Sequence, residues 1–159
     1  MTYRIEGLDP NQFASQFAAS DDELLRSRCR RETAGDTGRY PCRVSLQDAE
    51  PGEELLLAHY VNHAVDTPYR NAFAIYVRRK ADRAAHFVDT VPLILRHRPI
   101  ALRCYDAGGN LHRAGLSLFD DVDRLVRELF EDDQVAYINA HNAMHGCFAT
   151  RIERDGEAA

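Results

Sequence analysis

With 159 residues, 45% hydrophobic and 28% charged, the chain suits one domain that buries a core without disulfide or metal staples. Its formal net charge of −5 argues against general nucleic-acid binding, which draws on a positive surface. No apolar run approaches the ~18 residues of a membrane span, and "MTYRIEGLDPNQF" lacks a basic patch followed by an apolar stretch, so a cytoplasmic protein without membrane contact is expected.

"YRIEGL" alternates Tyr3, Ile5 and Gly7 against Arg4, Glu6 and Leu8, the pattern of a short strand. Asp9 then caps a helix with Pro10 at its first position, and Phe13 and Phe17 share one face before an end near Ser20. "DDELLRSR" begins a second helix or, with Arg26, Arg28 and Arg30 alternating, an edge strand. "AGDTGRYP" and "DAEPGEE" are turns by their Gly and Pro content. "LLLAHY" and "AFAIYVRR" read as strands, with "NHAVDTPYR" the loop between them. "KADRAAHF" suggests a helical turn, and "VPLILRHRP" fits no single period. "IALRCYDAGGNLHRAGLSLF" is a strand, a Gly-Gly turn and a return strand. In "DDVDRLVRELFEDD", Val122, Leu125, Val126, Leu129 and Phe130 recur at three- and four-residue steps, an amphipathic helix capped by Asp120 or Asp121. "QVAYINA" and "CFATRIE" are strands, and Asp155 to Ala159 a frayed polar tail.

The order β α β β β β β α β β predicts an α+β fold: a mainly antiparallel or mixed sheet with two packed helices in a single domain spanning residues 1–159. The expected core is Phe13, Phe17, Leu55, Leu57, Ile75, Val77, Leu102, Leu125, Leu129, Phe130, Val135, Tyr137 and Phe148.

Three chemistries compete for "AHNAMHGC". His141 and His145 share the four-residue spacing of a helical metal pair, echoed by His59 and His63, so zinc or iron held with Cys147 is one option. Against it, residues four apart in extended chain are roughly 13 Å apart, and the stretch is too short for a stable helix. A second option makes Cys147 a nucleophile activated by His145 or His141; against it, a cysteine beside Phe148 at a strand start is ordinarily packing. The third is a pocket for a small anionic or polar ligand. "GRYPCRVS" supplies Arg39, Tyr40, Arg43 and Ser45, and "DTPYR" supplies Asp66, Tyr69 and Arg70. Any one Arg has a competing role as an ion-pair partner, since 19 of the 20 basic residues are arginine and 25 residues are acidic. "RSRCRR" without an aromatic ladder reads as a solvated face. The four cysteines, Cys29, Cys42, Cys104 and Cys147, are far apart and are expected to be free thiols.

"YPCRVSLQDAEPGEELLLAHY", "TPYR" and "AYINAHNAMHGCFATRIER", together spanning about 39–154, resemble the domain of unknown function 1203, a family of bacterial proteins. The resemblance implies a fold unit rather than a reaction. It also implies that some relatives carry further cysteines near the positions of Ser45 and Thr150, giving four thiols in two close pairs. This chain keeps only Cys42 and Cys147, so that set does not form intact here, and these two are expected to lie close in space.

The leading expectation is a ligand pocket in which Arg43 pairs with an anionic group, Tyr69, His141 and Asn142 offer hydrogen bonds, and Cys42 and Cys147 line the floor. The alternatives are a metal-assisted or thiol-based enzyme centred on His141, His145 and Cys147, and a subunit-association module, a possible homodimer, pairing through an exposed strand edge.

Overall fold

A computed structural model describes residues 1–37 and 39–156; Gly38 and residues 157–159, the end of the expected polar tail, lie outside the described residues. Nine strands and three short α-helices occur among the described residues. In chain order they are β1 (Tyr3–Glu6), α1 (Ala14–Ala18), α2 (Asp21–Arg26), β2 (Cys29–Thr33), β3 (Glu54–His63), β4 (Asn71–Arg78), β5 (His86–Val88), β6 (Ile100–Tyr105), β7 (Leu111–Ser117), α3 (Val122–Leu129), β8 (Tyr137–Asn142) and β9 (Phe148–Arg154). They form a six-stranded sheet, order β5-β1-β9-β8-β6-β7, and a three-stranded sheet, order β2-β3-β4. Every pairing of these strands is antiparallel.

The α+β class and the antiparallel pairing match expectation; one sheet under two packed helices does not. Only α3 lies on a sheet as a full amphipathic helix, sharing a core with Leu102, Ile138 and Ile152 through Val122, Val126 and Leu129. The helix expected after Asp9 is a 3-10 turn (Pro10–Phe13) followed by the five-residue α1, too short to hold itself without packing. Asp9 still caps its start, accepting from Asn11 N at 2.9 Å. "DDELLRSRCRR" realises both alternatives in succession. Ser20 and Glu23 form a capping box that starts α2, and β2 follows from Cys29. "KADRAAHF" ends in β5 rather than forming a helical turn. "VPLILRHRP" contributes a 3-10 turn (Leu93–Leu95) that buries Ile94 and Leu95. Of the expected core residues, Phe17, Leu57 and Leu125 are only half-buried; the others are buried. Phe17 and Leu125 pack against the cores from their margins, whereas Leu57 borders a cleft.

The six-stranded sheet has two different faces. Period-2 alternation sends Ile100, Leu102 and Cys104 of β6, with Ile138 and Ala140 of β8, to the α3 side. The residues between them, Arg103, Tyr105, Tyr137, Asn139 and His141, belong to the other face, towards β3 and β4. There the His63 ring lies 4.0 Å from Tyr105, and Phe73 lies 5.2 Å from His141. A bulge between Ala140 and His141 changes the phase of β9, so Ile152 stays opposite Ile138 while Phe148 comes opposite His141. Phe148 thereby reaches Tyr60 of β3, ring centroids 6.4 Å apart.

The segment Pro41–Leu46 ties the sheets together. Arg43 N donates to Tyr76 O of β4 at 3.0 Å, and Arg43 O accepts from Leu8 N at 2.7 Å. Gly7 permits this approach, because a Cβ there would lie 1.9 Å from Val44 O.

Candidate functional site

Where Pro41–Leu46, the segment before β6 and the β8–β9 turn converge, a cleft of about 780 Å³ opens beside β3 and β4. Its basic lining is Arg39, Arg43, His97, Arg98 and His145, and no aspartate or glutamate among the described residues lines it. Leu57, Phe73 and Met144 supply apolar wall, and Tyr76, Asn142 and Cys147 complete the polar part. Two of these side chains have acidic partners: Arg98 meets Asp48 at 2.7 Å, and His97 meets Asp120 at 3.3 Å. Arg39 and Arg43 make no ion pair with a carboxylate among the described residues.

Arg43 is the unusual member. It is 2% exposed, yet it carries a guanidinium with no carboxylate counter-charge. Nε donates to Phe148 O at 2.7 Å, Nη1 to Pro41 O, and Nη2 to Cys147 Sγ at 3.2 Å. Burial pulls its pKa below the ordinary guanidinium value. A buried cation held by two carbonyl oxygens and a sulfur favours an anion brought to the part of it that lines the cleft.

The β8–β9 turn is held at both ends: Asn142 N donates to Cys147 O at 2.9 Å and Gly146 N to Asn142 O at 2.7 Å. Gly146 sits at φ +75, a conformation that costs other residues strain. The turn points Met144 and His145 outward, both exposed, and leaves Cys147 half-buried in the cleft.

Of the residues singled out in the sequence, the cleft gathers Arg39, Arg43, Asn142, His145 and Cys147. It does not gather three others. Tyr69 lies in the β3–β4 turn, 41% exposed, outside the cleft lining. Its carbonyl oxygen accepts from His63 Nδ1 at 2.9 Å. Cys42 is fully buried in the smaller core, its sulfur accepting from Arg78 N at 3.3 Å and Ser45 N at 3.5 Å. Cys42 and Cys147 thus have different surroundings, and all four cysteines are free. Ser45 and Thr150 are bound elsewhere, Ser45 Oγ accepting from Arg78 Nη1 at 3.4 Å and Thr150 Oγ1 donating to Glu6 O at 2.8 Å.

His141 is the third. It is fully buried between the sheets, not in the cleft wall. Nδ1 lies 3.0 Å from Gly146 O, and its Nε2 has no hydrogen-bond partner among the described residues. Burial, with Arg103 and Arg43 nearby, lowers its pKa to about 4. Arg43, and neither imidazole, makes the hydrogen bond found on the Cys147 sulfur. His59 is exposed, whereas His63 is buried and bonded to Tyr137 Oη at 2.7 Å, so this pair does not converge either. No three His, Cys, Asp or Glu side chains come together as a ligand set among the described residues.

Sequence reasoning missed His97, Arg98 and Tyr76. "RHRP" carried a signal, two Arg and a His before a proline in a stretch without period, but nothing in it indicates which loop it meets.

An antiparallel two-sheet α+β architecture with an arginine-lined cleft between loops defines the class of this protein. Residues 39–154 match the family described as Protein of unknown function (DUF1203), and the chain belongs to that family. No curated protein and no solved structure matches the chain. No helix among the described residues is long and apolar enough to cross a membrane.

Proposed function

We propose that the chain binds a small anion in this cleft. The observation that carries the reading is Arg43, a buried guanidinium that, among the described residues, has no carboxylate partner and stands in the wall of a cleft lined by no acidic side chain. Arg39 adds a second cation without an acidic partner, and Asn142 adds a neutral hydrogen-bonding group at the rim. An anionic carboxylate or phosphate takes up the spare guanidinium donors in the fork geometry arginine favours. The test is thermal melting with inorganic phosphate, sulfate and di- and tricarboxylates. A ligand at about 100 times its Kd stabilises the folded state by roughly 2.7 kcal/mol, several degrees in Tm. Arg43→Met and Arg39→Ala are expected to remove the shift. Melting curves indifferent to every anion would sink the reading.

A second reading concerns β7, an outer strand of the six-stranded sheet, followed by exposed Leu118 and Phe119. An antiparallel pair of β7 strands from two copies, centred on Ala114, sets Arg113 opposite Gly115 and His112 opposite Leu116, so no like charges face each other. A homodimer built this way is expected to dissociate on dilution and with Ala114→Pro, which sedimentation velocity reads. A monomer at every concentration overturns it.

A further inference from the structure

The anion reading leaves part of the buried polar chemistry unused. His141 and Asn139 are 0% and 1% exposed, two residues apart on the same face of β8. The His141 ring lies against Phe73 at 5.2 Å and Phe148 at 5.8 Å. Its Nδ1 faces Gly146 O at 3.0 Å. A carbonyl only accepts, so Nδ1 carries the hydrogen, and Nε2 of the neutral ring is a bare acceptor. Among the described residues that acceptor has no hydrogen-bond partner, and neither the amide nitrogen nor the amide oxygen of Asn139 has one. Buried polar groups are ordinarily paired, and orphans of this kind mark a missing partner.

Phe73 separates these groups from the cleft. It is half-buried, lines the cleft and touches the His141 ring, while the Arg103 guanidinium carbon sits 5.9 Å from its centroid. The anion-binding end is close at hand, because Phe148 gives its carbonyl to Arg43 and its ring to His141. A ligand held at the Arg43 fork therefore has the Phe73 ring between it and His141.

We propose that the cleft's ligand is a hydroxylated anion, its acid group on Arg43 and Arg39 and its hydroxyl reaching past the Phe73 ring to donate to His141 Nε2, with Asn139 as second partner. This rests on the anion reading and adds the substrate class. The imidazole lone pair takes a hydrogen-bond donor and rejects a second carboxylate. Asn139, offering both a donor and an acceptor, completes the pairing of the hydroxyl oxygen. A site built for a hydroxyl discriminates against the analogue lacking it, because the buried partners are then left unpaired.

The test uses the full chain with nitrogen-15-labelled histidine. Matched acids are titrated in pairs, glycolate against acetate, malate against succinate, and citrate against tricarballylate, with inorganic phosphate as the head group alone. The expected result is a preference of about fivefold or more for the hydroxy acid in at least one pair, together with movement of the His141 Nε2 resonance that phosphate does not produce. His141→Phe is expected to abolish the preference and keep phosphate binding; Asn139→Leu repeats the test if that variant does not fold. Equal affinity within all three pairs overturns the inference, as does a preference with an unmoved Nε2 resonance, or an Nε2 already hydrogen-bonded to water and unchanged by ligand. Arg43-dependent phosphate binding alongside either result leaves the anion reading standing; no binding of any probe overturns both.

Discussion

Along β6 and β8 neighbouring residues lead opposite lives. Leu102 and Ile138 enter a core made with α3 that is almost wholly apolar, whereas Arg103 and Asn139, each one step along, belong to a face where polar side chains and rings interleave. The first face is redundant, since many aliphatic contacts share the load and none depends on direction. The second is directional: His63 takes a proton donor from Tyr137 and gives one to a carbonyl, and His141 gives one and holds an acceptor in reserve. One set of strands thus carries stability on one side and chemistry on the other, because side chains alternate with a period of two.

Substitutions separate the two faces. The largest loss of stability is expected on the α3 side: Leu102→Ala removes a fully buried side chain and costs about 3 kcal/mol. Chemical denaturation reads that loss, with anion affinity unchanged once the protein is folded. A drop in affinity as large as the drop in stability would show that the faces are not separable.

Acid titration probes the polar face. The unfolded His141 takes a proton near its ordinary 6.5, while the folded ring resists until about 4. Between those values the unfolded chain binds the extra proton, so stability falls as pH drops from 6.5 to 4 and this contribution levels off below. Its size is on the order of 3 kcal/mol. Arg103, Arg43 and His63 are the charged or titratable neighbours that share in it. Glu53, held down to about 2 chiefly by its hydrogen bonds to Arg78, loses its contribution in a lower window, as pH falls from 4.5 to 2. His141→Phe should flatten the first window and leave the second; an unchanged slope would argue that the ring is not held neutral.

Arg43→Met comes next. It strips donors from the Phe148 and Pro41 carbonyls and is expected to cost about 2 kcal/mol in stability, with at least about a tenfold loss of phosphate affinity. The smallest effect belongs to Cys147→Ser, under about 1 kcal/mol in stability, with anion affinity held within about threefold. A larger loss of binding would move the thiol to the centre of the site. Alkylation adds a check: Cys147 is expected to react before Cys104, which is fully buried and whose thiol burial pushes up to about 12.

The parts of the fold legible in the sequence were local. The Gly-Gly turn fixed the β6–β7 hairpin, and the stripe from Val122 to Phe130 fixed α3, because both are written within a single period. The division into two sheets was not legible, since β2, β3 and β4 alternate much as the other strands do and their partners are chosen by distant pairing. At the site, Arg39, Arg43, His145 and Cys147 were found because they lie in loops rich in polar residues, and Asn142 because it ends the strand that leads into one. Tyr69 looked equivalent, but loop composition does not tell which loops face each other. His141 was misplaced for a different reason: it ends a strand whose alternation turns it inward, while His145, four residues on, has already left the sheet. The pairing of His97 and Arg98 with the Pro41–Leu46 segment is a tertiary fact with no local trace.

The first strand of the chain does not lie at the rim of its sheet. Ile5 is flanked by Phe87 on one side and Ile152 on the other. Both neighbours of β1 are therefore made long after it, and the last of them only when nearly all the described chain exists. During synthesis β1 precedes both partners, gaining one row of backbone hydrogen bonds only once β5 is made and the other only with β9. Such long-range closure places folding towards the slow end for a chain of this size.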